Sequence, residues 1–436
     1  MCGRQQRPNT RRGQAPGRAI YHEGHDDKSG FFLDWSRQPR GGGGRFVAGN
    51  GRGFGEDRGV STDWNRLRHG LERRLNALLP PRWTTLARLQ RADPGCWREI
   101  RPAVDVSWPR ALGSGPLPEN FRACLATRFP ACGVLTLPDG EVFSEHGWVF
   151  TRNGERVPDL SMQGERVQYA PRVHRPRLTR RPERLRGRTV SLVGLHTTCS
   201  YFHLACDALP RIELLRQAGH NWGDFDHILF PRYLTPSTER LITAAGVPRD
   251  RVRWVGWGEP LYVRCEELVC PSFPSAWRTV APWVAEYVAG LRDFGPVARP
   301  RRLFVTRRAG RRLLRNEAEL WSELAARGFE AVDPGAMADA EAAFHEADFV
   351  VGAHGAALTN LAFCRPGTKV VELVPSDQPF PYYYTLALAR KLDYGCVICP
   401  SDFEQPRDPL VSWHSPSDFT ADRSAVIALV DRMLAG

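Results

Sequence analysis

Three stretches of this sequence combine residue types and spacings suited to holding an anion and moving a proton. The first is VVGAHGAALTNLAF, residues 350–363. An apolar run ends at Gly352 and Gly355, which let a backbone turn sharply and approach a ligand. Ala356 opens a helix-like stretch that also contains Thr359 and Asn360, and the free N–H groups of a helix start suit phosphate. His354 stands in the turn, where an imidazole can donate to a phosphate or sugar oxygen. The alternative is a tight strand-to-helix turn whose histidine caps a loop. The pattern is not Gly-x-Gly-x-x-Gly, so no nicotinamide or flavin cofactor is indicated.

The second stretch is VTRRAGRR, residues 305–312. Thr306, Arg307 and Arg308 fall at a strand end, with Arg311 and Arg312 close behind. Guanidinium forks fit diphosphate oxygens bidentately; a solvated loop is the alternative. Asn316 follows, placed to cap a helix or to reach the same ligand. Downstream, Glu372 sits in KVVEL, a strand otherwise fit for burial. A buried carboxylate needs partners, and either the paired hydroxyls of a ribose or a salt bridge inside the sheet would supply them.

The third stretch is YFHLACDALPR, residues 201–211. His203 and Asp207 are spaced i, i+4 and share one face of a helix. Facing a cleft, such a group can act as general base; Asp207 is the first candidate and His203 the second. The same spacing suits a weak metal pair or a structural hydrogen bond. Asp224-Phe-Asp226 has the form of a divalent-cation motif, but aspartates capping a polar turn account for it. Cys396 and Cys399 form a C-x-x-C without a second ligand pair. No metal is expected.

The elements that must position these groups alternate. RTVSLVGL, DHILFPRY, VRWVGW and LYVRCEELVCP read as strands, SYFHLACDALPRIELLRQAG as a helix containing a proline, and STERLITAAGV and APWVAEYVAGLRDFG as helices. After an Arg/Pro hinge near Arg299 the order is RLFVTRR strand, NEAELWSELAARGF helix, EAVDP strand, MADAEAAFHEA helix, DFVVGA strand, then GAALTNLAF short helix, TKVVELVP strand, YYYTLALARKL helix, YGCVICP strand and a closing helix. Such alternation implies parallel sheets covered on both faces, with ligands at the carboxyl ends of the strands. Asp-Gly and Asn-Gly in residues 133–157 predict antiparallel hairpins. The fold class is therefore α/β, two facing Rossmann-like domains with parallel sheets plus some antiparallel hairpins in the amino-terminal part. Residues 1–60 read as a disordered Arg/Gly-rich tail, 61–296 as an amino-terminal domain that starts with a helix at 61–80, and 297–436 as a carboxyl-terminal Rossmann-like domain.

The bulk composition sets limits. The chain has 436 residues and a formal net charge of +12, with eleven cysteines at irregular spacings. The cysteine pattern predicts free thiols in a reducing compartment. No apolar run approaches the roughly 18 residues of a membrane span, and no secretory signal is visible. Arginines concentrate in residues 172–188, a run that reads as a solvated linker or a contact for acidic headgroups. It lacks interleaved aromatics, so nucleic acid is not expected as a partner.

Together these motifs resemble glycosyltransferase family 61, which includes bacterial capsular-polysaccharide-type transferases and eukaryotic xylosyl- and N-acetylglucosaminyltransferases. The stretches that carry the resemblance are YFHLACDALPRIELL, LFVTRRAGRRLLRNEAEL and GFEAVDPGAMADAEAAFHEADFVVGAHGAALTNLAFCRPGTKVVEL, in family order. Thr306 stands where the family usually has serine, and Leu204 where it often has tryptophan. The resemblance implies a GT-B architecture and inverting, metal-independent hexosyl or pentosyl transfer from a nucleotide sugar, commonly UDP-linked. The nucleotide sugar is a substrate, and no cofactor is implied. The acceptor would be a hydroxyl of a glycan, polysaccharide precursor or lipid-linked saccharide, met in the cytoplasm or at the inner face of a membrane. Asp207 or His203 would be the base, the arginines and His354 would hold the diphosphate, and Glu372 the ribose. A non-catalytic nucleotide-sugar- or carbohydrate-binding relative of the same fold is the alternative.

Overall fold

The computed structural model describes residues 78–79, 82–113, 116–160, 176–276, 278–297, 299–307, 312–377, 379–401 and 418–436. The expected tail 1–60, residues 61–77 of the expected first helix, the start of the arginine run at 172–175, and Arg308 and Arg311 lie outside them.

The first part of the chain carries β1 (Trp97–Arg101), β2 (Val104–Ser107), β3 (Leu112–Gly113), β4 (Ala126–Phe129), β5 (Cys132–Pro138), β6 (Glu141–Phe143), β7 (Trp148–Phe150), β8 (Glu183–Ser191), β9 (His227–Pro231), β10 (Val252–Val255) and β11 (Tyr262–Pro271). The second part carries β12 (Arg301–Val305), β13 (Phe329–Val332), β14 (Ala347–Ala353), β15 (Lys369–Pro375) and β16 (Asp393–Cys399). One sheet runs β1-β5-β11-β8-β9-β10, with β6 and β7 attached beside β11. Its β11, β8, β9 and β10 are mutually parallel, and β1, β5, β6 and β7 pair antiparallel. The other sheet, β13-β12-β14-β15-β16-β3, is parallel throughout. Its middle strands are near-continuous apolar runs, as burial on both faces requires; every residue of β15 after Lys369 is buried.

Three local departures from the sequence reading have physical causes. Asp139-Gly140 is not a hairpin turn. β5 and β6 pair with successive stretches of the same strand, β11, so the Asp-Gly kinks one long strand, with Asp139 at φ 53°. One hairpin comes later, between β6 and β7, and Asn153-Gly154 makes the expected turn, bringing Arg156 antiparallel to Phe150 with Gly154 at φ 74°. The helix expected over 200–219 is broken into Tyr201–His203, a π turn Leu204–Ala208, and Pro210–Gln217. Proline has no N–H to continue an α ladder, and the wider turn closes one residue further on, with Leu209 N donating to Leu204 O at 3.1 Å. The third departure is β3, a two-residue strand from the first part that pairs with β16 at the edge of the second sheet.

The described part of the arginine run is not a free linker. Arg177 pairs with buried Glu141 at 2.8 Å, and Arg188 with Glu267 at 2.5 Å. Cys396 and Cys399 are buried in β16, and no described cysteine forms a disulfide. No described helix is long and apolar enough to cross a membrane.

Both parts share one apolar core that includes Val190, Leu204, Leu209, Val305, Leu358 and Tyr384. Polar contacts reinforce it. Arg240 Nη2 donates to Glu341 Oε2 at 2.5 Å and Arg292 Nη2 to Asp339 Oδ2 at 2.7 Å. Val280 N donates to Thr385 Oγ1 at 2.9 Å, and the Tyr384 hydroxyl donates to Pro109 O.

Candidate active site

His203 and Asp207 leave the carboxyl end of β8 on the broken helix. His203 Nδ1 lies 2.5 Å from Asp207 Oδ2. Asp207 keeps 4% of its side-chain surface exposed and His203 13%. Burial pushes the Asp207 carboxyl up, and the His203 contact and nearby Arg211 oppose that. The imidazole is the more exposed member of the pair, and the carboxylate lies against its Nδ1. Arg211 lies buried behind the pair. Its guanidinium donates to Ser191 O, Val193 O and Pro271 O, tying the ends of β8 and β11 together. Burial lowers its pKa to about 10, still far above neutrality.

His354 leaves the carboxyl end of β14, and its N–H donates to Leu373 O at 2.9 Å. Its Nδ1 lies 2.5 Å from Glu372 Oε1, and the Tyr394 hydroxyl donates to Glu372 Oε2 at 2.5 Å. Glu372 is fully buried. Both of its oxygens are engaged inside the sheet, so it orients His354, and the ribose contact expected for it has no exposed carboxylate to use. Burial lowers the His354 pKa, Glu372 opposes this, and Arg312 and Arg307 add to it. With Nδ1–H given to Glu372, the neutral ring keeps an acceptor lone pair at Nε2; it becomes a donor there only on taking a second proton.

Gly352 is paired in β14 with both Val305 and Glu372. Gly355 is extended, and a Cβ there would overlap the Arg307 guanidinium, coming within 2.9 Å of Cζ. The glycine thus lets Arg307 lie across the start of the 3-10 helix Ala356–Phe363. Burial lowers the pKa of Arg307, with Tyr383 opposing.

The remaining expected ligands are placed differently. Thr306 Oγ1 donates to Val332 O at 3.2 Å. Asn316 does not cap its helix through its side chain; its amide pairs with the Ala421 backbone at 2.8 and 3.0 Å. Asn360 is buried and accepts from the Tyr201 hydroxyl at 2.9 Å, joining the His203 helix to the helix after His354. Thr359 is fully buried, and its hydroxyl has no hydrogen-bond partner among the described residues. Ala356 is half-buried at the helix start. Asp224 caps a short helix together with Asn221, and Asp226 accepts from Arg188 N, so the D-x-D pair is a turn device. No described cluster of histidine, cysteine and carboxylate side chains could hold a metal ion.

Aromatic rings bring the two histidine–carboxylate pairs to one place. The Tyr382 ring lies 5.9 Å from His203, Tyr383 lies 5.1 Å from His354, and Phe202 touches both tyrosines at 4.7 and 5.7 Å. Phe380 lies 6.3 Å from His354 and carries the Arg278 guanidinium over its face at 3.6 Å. The His203–Asp207 pair and the His354–Glu372 pair therefore meet at Tyr382-Tyr383. Sequence reading missed Arg278, Phe380, Tyr382 and Tyr383. The run PFPYYY was a usable signal, since three tyrosines behind prolines are unusual at a helix start; Arg278 has no local signal.

Residues 201–371 match the sequence model of the family described as Glycosyltransferase 61. A beta-1,2-xylosyltransferase of Oryza sativa subsp. japonica, RCN11, is 35% identical over 66 residues, which is 15% of this chain and 12% of that protein. The part of the chain that matches the family, residues 201–371, contains His203, His354, Asp207 and Arg307.

Proposed function

We propose that the protein is a glycosyltransferase that moves a sugar from a nucleotide sugar, UDP-linked, to a hydroxyl of a glycan or lipid-linked acceptor. The convergence of His203–Asp207 and His354–Glu372 on Tyr382-Tyr383 carries this reading. In it, the two sheets form the facing halves of a GT-B fold. His203 Nε2 takes the proton of the acceptor hydroxyl, and Asp207 holds the ring and stabilises the imidazolium that forms. The hydroxyl attacks the anomeric carbon from the side opposite the diphosphate, so configuration inverts. Arg307, with the helix start after Gly355, stabilises the leaving diphosphate in place of a metal. His354 receives a hydroxyl of the donor at Nε2. The rice relative is named as a xylosyltransferase, so pentose donors belong in the panel beside hexose donors. Action at the cytoplasmic side, with peripheral contact to a membrane, follows from the same reading.

Thermal stabilisation by UDP, GDP, CMP, dTDP and NAD, each with and without EDTA, tests the donor side. A ligand at about a hundred times its dissociation constant adds about 2.7 kcal/mol. A UDP shift that survives EDTA is expected, followed by turnover with one member of a UDP-sugar panel. A shift abolished by EDTA would refute metal independence. No shift with any nucleotide would refute nucleotide-sugar binding.

A further inference from the structure

Beyond the two pairs lies a third histidine group that the transfer mechanism does not use. The β6–β7 turn, residues 144–147, tucks under the exit of β8. Gly147 has φ 65°, and a Cβ there would overlap the Val193 carbonyl. This packing sets His146 beside His196, with ring centroids 6.0 Å apart, and His196 is in turn 5.3 Å from His203. On its other side His146 meets Trp257 edge-on at 5.7 Å. A continuous line of rings therefore runs from His203 to Trp257. Exposure grows along it, from 13% of the His203 side chain to 25% for His146 and 46% for Trp257.

Two features separate this line from ordinary packing. Trp257 is large, apolar and exposed, yet its turn is held firmly. Gly256 N donates to Glu259 Oε2 at 2.8 Å, Glu259 N to Gly256 O at 3.2 Å, Arg232 N to Val255 O at 2.8 Å, and the Arg232 guanidinium pairs with Glu259. The indole is thus presented on a braced support with little left to order on binding. Moreover, His146 is not committed internally. Its Nδ1 is buried without a hydrogen-bond partner among the described residues, and its Nε2, on a ring that is a quarter exposed, is 3.8 Å from Glu145 Oε1, beyond hydrogen-bond reach. His203 and His354, by contrast, each sit 2.5 Å from a carboxylate. An exposed aromatic face beside the partly exposed His146 and Glu145 matches a ring that is apolar on one side and hydroxylated at its rim.

We propose that Trp257, His146, Glu145 and His196 form a carbohydrate subsite for the acceptor. Trp257 carries the C–H face of one sugar ring, Glu145 and His146 take its hydroxyls, and the line of histidines leads the reacting hydroxyl to His203. The orientation toward His203 rests on the transfer reading above; the sugar-binding face itself does not.

The full chain, wild type and as Trp257→Ala and Trp257→Phe, is applied without donor to an array of immobilised neutral mono- to trisaccharides of xylose, glucose, galactose, mannose and N-acetylglucosamine. Binding by the wild type, about tenfold or more weaker in Trp257→Ala and retained in Trp257→Phe, is the expected result. Equal binding by wild type and Trp257→Ala overturns the subsite, and so does the absence of wild-type binding to every sugar. The nucleotide-induced thermal shift, measured on the same samples, is expected to be unchanged in Trp257→Ala. It also reports on the donor separately: sugar binding without any nucleotide shift would sink the donor reading and leave the subsite standing. Because Trp257 is exposed, its replacement should not unfold the chain, and a thermal melt without ligand checks this.

Discussion

Asp207→Asn isolates what a buried carboxylate does for His203. The substitution keeps the shape of the side chain and removes its charge. At about 4 Å between charge centres, an imidazolium and a carboxylate attract by roughly 4 kcal/mol at an effective dielectric near 20. That value suits this pair, because the two atoms lie 2.5 Å apart and Asp207 is almost fully buried. The attraction exists only once His203 has taken the acceptor proton, so it acts on the transition state and not on donor binding. At about 1.36 kcal/mol per factor of ten, turnover should fall by about three orders of magnitude. Stability should not fall with it. Burial already disfavours the ionised Asp207, and a neutral amide removes that cost. Initial rates of nucleotide release with donor and acceptor, alongside thermal melts and the nucleotide-induced shift, separate these effects. A folded Asp207→Asn protein that keeps kcat within about tenfold would refute the assignment, since the expected loss is roughly a hundred times larger.

Three further substitutions probe the scaffold. Gly355→Ala must displace the Arg307 guanidinium, a flexible group, so the melting temperature should hold within about 2 °C while the UDP-induced shift and donor affinity drop about tenfold; an unchanged shift would remove Arg307 from the diphosphate site. Tyr201→Phe leaves the buried Asn360 Oδ1 without its donor, and chemical denaturation should show a loss of about 1–3 kcal/mol; a loss of only a few tenths would mean the bridge between the two helices is not needed. His354 is depressed below the ordinary imidazole range, so the unfolded chain binds more protons than the folded one between that lowered value and about pH 6.5. Stability therefore rises with pH through this window and is lost on acidification, and wild type should lose more melting temperature than His354→Gln between about pH 7 and pH 5.5; parallel curves would contradict the burial of a neutral His354.

The alternating elements were legible because each is long enough to show its own period. The strands of the second sheet are apolar runs bounded by Gly, Pro and charge, and the helices that follow them carry caps such as Asp339 and, on the closing helix, Asp422. Asp139-Gly140 misled because a dipeptide that permits φ > 0 looks the same in a hairpin and in a kinked strand. β3 left no trace, since two residues cannot show alternation. In the site, His203, Asp207, His354 and Arg307 could be named from local motifs. The work of Glu372 could not be settled, because one of its partners, Tyr394, comes from the neighbouring strand. Arg278, Tyr382 and Phe202 acquire meaning only when the two parts of the chain pack together, and no local window of sequence contains that packing.

The strand Leu112–Gly113 makes the two parts of the chain interdependent during biosynthesis. It is made early and has no parallel partner until β16 emerges near the end of the chain. Without it, β16 is left unpaired on that side at Gly395 and Cys396, next to the buried strand β15, and unpaired edge backbone can recruit strands from other molecules. The ribosome faces the same arrangement in time: the cover for the last strand is already waiting when that strand appears, which favours intramolecular closure over capture by a neighbouring chain.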